Sequence, residues 1–254
     1  RAVGSNANCA NAMTVLNTIM AETLKNFKVE VDSLIEKGEK KEIAIMQTLQ
    51  QYITQSKKVL FEGDGYSEEW HKEAAKRGLP NVPTTPLALD AMITDKAKKL
   101  FASNLVYSHT ELEARHEIEL EKYLKKVQIE ARIMGDLALN HIIPVAVQYQ
   151  NELLQNINGL KAAGLPEAAY KSQLEILTEV SNHMQQVYAN VNAMIEARKV
   201  VNAIADTRER AIKYCADVKE KYFDIIRYHV DKLEHLVNDN DWSLPKYREL
   251  LFLR

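Results

Sequence analysis

From Leu120 to Val145 one stripe of side chains recurs without a break: Leu120, Leu124, Val127, Ala131, Met134, Ala138, His141 and Val145, at steps of 4 and 3. That is the heptad spacing of a helix burying one face against another helix, and a strand, which alternates with period 2, cannot produce it. Thr110 and Glu113 form a capping-box pattern that opens the region. Continued to Asn158, the helix is roughly 70 Å long at 1.5 Å per residue. A compact domain of this size has a radius of gyration of only about 18 Å. The helix therefore protrudes or bends at Pro144, whose ring removes a donor and displaces the Asn140 carbonyl. Either way the spacing predicts an elongated body.

Two further stripes match this one. Leu177, Val180, Met184, Val187, Val191 and Met194 mark a second long helix after a turn from Asn158-Gly159 to Gly164-Leu165-Pro166. Ala211, Cys215, Val218, Tyr222, Ile225 and His229 mark a third, from about Arg208 to Val237. Three such helices joined by short turns predict an antiparallel bundle or coiled-coil-like hairpin, with the aromatic tail DNDWSLPKYRELLFLR packed back on it.

Upstream, Asn11 to Glu36 reads as a helix on Leu16, Met20, Thr23, Phe27, Val31 and Leu34, stopped by Gly38. Lys40 to Val59 reads as its antiparallel partner, with Ile43, Ile45, Met46, Leu49 and Ile53 as the apolar side. FEGDGY (61–66) is a sharp turn, Ser67 caps a short helix ended by Gly78, LPNVPTTP is a crossover, and Thr85-Pro86 starts another helix as N-cap and first position. The fold class is all-α, long antiparallel helices with shorter ones around them. Three segments follow: 1–60, a connecting stretch 61–109, and a long-helix bundle 110–254.

Composition narrows the function. Lys and Arg number 33 against 35 Asp and Glu, too balanced for the basic footprint of a nucleic-acid or polybasic membrane-surface protein. No apolar run reaches the roughly 18 residues of a membrane span. Eight Gly and six Pro leave few turns for a many-stranded fold. Cys9 and Cys215 make no disulfide framework and fit a reducing compartment. The first residue is Arg, and RAVGSNANC carries no processing signal, so the expectation is a piece of a longer chain.

Candidates for chemistry are few. Glu113/His116 and Glu68/His71 are Glu-x-x-His pairs, the spacing di-iron bundles use, but ELEARHEIELEK reads as a solvated face and no inward carboxylates accompany them. His141, on the seam beside Pro144, reads as a register-setting polar residue or a partner for a freed carbonyl, ahead of a ligand or proton relay. His183, His229 and Cys215 read the same way, as packing residues; Cys215 has no partner base. FEGDGY lacks the spacing of a phosphate loop. Lys57-Lys58, Lys98-Lys99 and Lys125-Lys126 alternate with carboxylates and read as solvent-facing charge.

Four blocks distributed from end to end, RAVGSNANCANAMTVLNTIMAE, FEGDGYSEEWHKEAAKRGL, IEARIMGDLALNHIIPVAVQYQN and IRYHVDKLEHLVNDNDWSLPKYRELLFLR, resemble the C-terminal portion of type III glutamine synthetases. The resemblance implies a cytoplasmic ligase that joins ammonia to glutamate at the expense of ATP through a γ-glutamyl phosphate. Magnesium or manganese neutralises the phosphates, and identical subunits stack as two hexameric rings. It also implies that the β-rich catalytic domain lies mostly upstream. Arg1 would be the last arginine of an active-site strand, contacting substrate or the transferring phosphoryl group, with the metal-ligating Glu two positions earlier and outside the chain. A guanidinium suits such a contact, being permanently charged and bidentate. One arginine cannot by itself bind ATP, organise metals and exclude water, so the fragment is expected to be structural and inactive alone, with no cofactor or metal of its own. The alternative is a free-standing helical scaffold; a di-metal carboxylate bundle is a remote third reading.

Overall fold

The computed structural model describes residues 8–251. Among them there is no strand; the chain is all-α. It divides into two compact units, the first ending at Ile118 and the second beginning at Glu119.

The first unit opens with a helical hairpin, α1 (Ala10–Glu36) and α2 (Lys41–Ser56). Gly38, at φ +97°, ends α1 by donating to the Ile35 carbonyl while Glu39 donates to that of Leu34. Only glycine enters that region without strain. Phe27 meets Tyr52 edge-on at 5.6 Å, and the Tyr52 hydroxyl donates to Glu30 at 3.2 Å, so the helices run antiparallel as the spacing predicts. Burial and the Glu30 carboxylate push the Tyr52 phenol up from its ordinary value.

Short helices follow: α3 (Glu68–Lys76), α4 (Thr85–Leu89) and α5 (Asp95–Ser103). Ser67 caps α3 as expected, accepting from the Trp70 amide. The 61–66 turn folds Phe61 onto Trp70 with ring centroids 4.3 Å apart. The N-cap of α4 is Thr84 rather than Thr85, because Thr84 is the extended residue and Pro86 fits inside the first turn.

Helix α6 (His109–Leu137) begins two residues earlier than Thr110 and Glu113 indicate. The residues that close its box are Ser108 and Glu111. Ser108 Oγ accepts from the Glu111 amide, and Glu111 Oε2 accepts from the Ser108 amide at 2.7 Å. These contacts hold the Glu111 carboxyl below its ordinary range. Glu113 is engaged elsewhere, pairing with Lys98 at 2.6 Å.

The second unit is a three-rod antiparallel bundle. The remainder of α6 leads through a π-helical turn, Ala138–Ile142, into α7 (Ile143–Ala162). Helix α8 (Lys171–Asn202) returns, and α9 (Thr207–Lys213), a second π turn at Tyr214–Lys219 and α10 (Glu220–Leu236) form the third rod. Gln150 donates to Ser181 and Asn156 to Gln173, one rod descending as the other climbs. Val180, Val187, Val191 and Met194 of α8 are fully buried between the other two rods, with Val127, Ala131, Ala146 and Val218 around them.

The π turns correct two predicted stripes. A π turn adds one residue to a helical turn and so moves every later side chain by one position. After Ala138 the buried residues are Ile142 and Ala146, while His141 is exposed and Val145 only half-buried. The same slip below Tyr214–Lys219 buries Ile226 and leaves Ile225 47% exposed. Pro144, which lacks a donor, sits in the first turn of α7 directly after the insertion. A third correction concerns Asn158-Gly159: α7 runs through it to Ala162 and turns at Gly164, because buried Ile157 anchors that last turn against α8. The tail does return: Trp242, Leu244, Pro245 and Leu250 wall a groove of about 460 Å³ with α6 and α10. Lys246 Nζ there donates to the Glu234 and Val237 carbonyls at the end of α10.

Candidate functional site

Among the described residues of the first unit, much of the apolar surface of α1 and α2 is left exposed. The expected stripes are only partly inward: Val31 is buried and Phe27, Leu34 and Ile45 are half-buried, whereas Leu16, Met20 and Leu24 of α1 and Ile43, Met46, Leu49 and Ile53 of α2 are exposed. Inside the hairpin are small side chains, Ala44 and Thr48. The threonine hydroxyl satisfies itself on its own helix, Thr48 on the Ala44 carbonyl at 2.9 Å. The hairpin thus closes on Ala44, Thr48, Val31 and the Phe27–Tyr52 pair and leaves many of its other large side chains exposed. Beside it, α1 and the 91–101 stretch border a groove of about 630 Å³. Asn104 and Ser103 both donate to Glu22 there, and the Asn104 contact above all holds that carboxyl below its ordinary range.

The predicted site residues separate. Arg1 lies outside the described residues. Glu68 and His71 are both exposed. Glu113 faces solvent and Lys98, whereas His116 is buried and its Nε2 lies 3.1 Å from Asp90 Oδ1. His116 therefore does not belong to a solvated face. It stands four residues after buried Leu112 and four before buried Leu120, on the inward stripe of α6. Asp90 and Lys98 were invisible from sequence, since neither spacing nor motif ties them to α6. Among the described residues no three His, Cys, Asp or Glu side chains gather to hold a metal ion.

In the second unit the structure joins two residues that sequence kept apart: His183 of α8 and His229 of α10 approach with Nδ1 atoms 2.8 Å apart. Cys215 is buried, its Sγ 3.8 Å from Glu220 Oε1. Burial, with the thiol and nearby carboxylates, raises the Tyr123 phenol well above its ordinary value. Of the basic doublets, Lys57, Lys58, Lys99, Lys125 and Lys126 are exposed, and Lys125 pairs with Glu121 one turn back. No described helix is long and apolar enough to cross a membrane.

The geometry thus offers an interaction face and structural polar pairs. Comparison with known proteins gives them a context. The family model for the glutamine synthetase C-terminal domain matches residues 44–161. The chain as a whole is 45% identical to a glutamine synthetase of Bacteroides fragilis over 258 aligned residues, covering 100% of this chain. It is 32% identical to the type-3 glutamine synthetase of Dictyostelium discoideum, again over its whole length, and 28% identical to a glutamine synthetase of Butyrivibrio fibrisolvens over 85% of it. The chain spans 35%, 35% and 30% of the length of these relatives. The glutamine synthetase domain match begins inside α2 and ends at the last turn of α7, so it takes in parts of both units.

Proposed function

We propose that this chain is the C-terminal helical part of an ATP-dependent glutamate–ammonia ligase, and that its own work is structural. In this reading the ligase joins ammonia to glutamate through a γ-glutamyl phosphate, in the cytoplasm, as an assembly of identical subunits. The observation that carries the reading is identity sustained over the entire chain against proteins about three times as long. In this reading the chain holds no nucleotide of its own, in keeping with a turn at 61–66 that lacks a phosphate loop's spacing. ATP, magnesium or manganese, glutamate and ammonia are therefore assigned to the part of the polypeptide that the relatives have and this chain does not span. Arg1, by resemblance, would reach that centre.

The apolar face of α1 and α2 supports the structural role. The apolar stripes left in water on α1 (Leu16, Met20, Leu24) and α2 (Ile43, Met46, Leu49, Ile53) are surface of the kind that marks an interaction site. The partner proposed is that same remaining part of the ligase. The test is an assay of γ-glutamyl transfer by the purified 254-residue chain with manganese, nucleotide and substrate supplied. No turnover is expected; turnover above a heat-killed control would overturn the assignment of the chemistry elsewhere.

A further inference from the structure

We infer that the His183–His229 contact is a one-proton latch between α8 and α10, closed when the pair carries no extra proton or one and opened by a second. The two Nδ1 atoms are 2.8 Å apart, so a single N–H lies between them: one ring donates and the other must keep its lone pair to accept. In the neutral pair that condition is met. A first added proton goes to the far Nε2 of the donor ring, turning it into an imidazolium and making the bond charge-assisted and stronger. A second can only take the accepting lone pair. That sets two N–H groups head to head, with two positive rings whose centroids are 5.1 Å apart.

The surroundings fix which ring is which. Burial first, and the charge of His183 second, hold the His229 imidazole below its ordinary range, so His229 is the acceptor and His183 the donor. From α10 the Tyr228 ring stands edge-on to both imidazoles, and Lys232 Nζ lies 5.4 Å from the centre of that ring. On α8 the ionisable residue one turn before His183 is Glu179. From α7, packed along α8, Gln150 reaches Ser181 and is neutral. The π turn Ala138–Ile142, which touches both helices, carries His141, itself exposed. The charge that acts on His229 is thus its partner's. Because the folded value of His229 lies below that of an unfolded imidazole, the unfolded or opened state binds more protons in acid. The neutral His229 acceptor contributes fully above the ordinary imidazole range, and its contribution is lost as pH falls from there through the lower folded value of His229. Buried Val180, Val187 and Ile226 flank the pair, so opening is local to this stretch of α8 and α10.

The latch stands apart from the ligase reading and is tested on the 254-residue chain by ring-nitrogen NMR of labelled histidines. His229 is expected to take up its proton at lower pH than imidazoles of the urea-denatured chain. His183→Gln, which keeps a donor but removes the charge, is expected to raise the His229 proton affinity, moving its titration to higher pH. A His229 curve coinciding with the denatured chain's overturns the latch without any variant. So does an unchanged affinity in a folded His183→Gln protein.

Discussion

The two units spend the same raw material, long helices with apolar stripes, in opposite ways. In the second, three rods turn their stripes on one another, and Val180, Val187, Val191, Met194 and Val218 have no exposure at all. In the first, the α1–α2 hairpin closes on Ala44 and Thr48 and turns Leu16, Met20, Met46 and Ile53 outward. Apolar burial is worth about 25 cal/mol per Å², so a unit that leaves such side chains in water forgoes much of its own stabilisation. The difference teaches that periodicity reports an apolar stripe but not who covers it. The bundle buries its stripes within itself, and the hairpin leaves large apolar side chains in water.

That contrast can be broken most sharply by truncation. Met194→Ala empties a fully buried site and is expected to cost about 2–5 kcal/mol, whereas Met20→Ala, at a residue 59% exposed, should move stability by no more than about 0.5 kcal/mol. Chemical melting of the two variants decides it; equal losses would mean the α1 face is covered after all. His116→Ala should cost about 1–3 kcal/mol, because it removes a buried ring and leaves Asp90 without that partner. Its loss should be read in the first unit, by faster hydrogen exchange in α5 and the N-terminal half of α6. Lys246→Met should cost about 1 kcal/mol by releasing the Glu234 and Val237 carbonyls, seen as a lower melting midpoint without change in helix content. The smallest effect has the opposite sign. Leu105 occupies φ +56° at the end of α5, 95% exposed, where Gly38, Gly78 and Gly164 stand at the comparable turns. Leu105→Gly is expected to stabilise by about 0.5–1 kcal/mol.

Much of this fold was legible because helices advertise themselves. The α8 stripe, the hairpin, the Ser67 cap and the returning tail all follow from spacing and capping chemistry. What misled was local. Thr110 and Glu113 satisfy the capping pattern as well as Ser108 and Glu111 do, and only the positions of Lys98 and Phe101 on the preceding helix decide between them. The seam past Ala138 was misplaced by one residue because a π insertion leaves no mark in a heptad count. Asn158-Gly159 has turn chemistry, yet buried Ile157 keeps it helical. The site was less legible still. His183 and His229 are 46 residues apart, and Asp90 is 26 from His116; no motif spans such distances, only the packed helices do. His141 stood on a predicted seam and is exposed, whereas His116 stood in a charge-rich run and is buried.

The central claim is that the α1–α2 face is completed by another part of a glutamine synthetase polypeptide. Hydrogen exchange compared between this chain and a full-length synthetase carrying the same sequence tests it directly. The expected result is strong added protection of α1 and α2 in the full-length protein, with α8 exchanging alike in both. Equal exchange of α1 and α2 in the two proteins would contradict it.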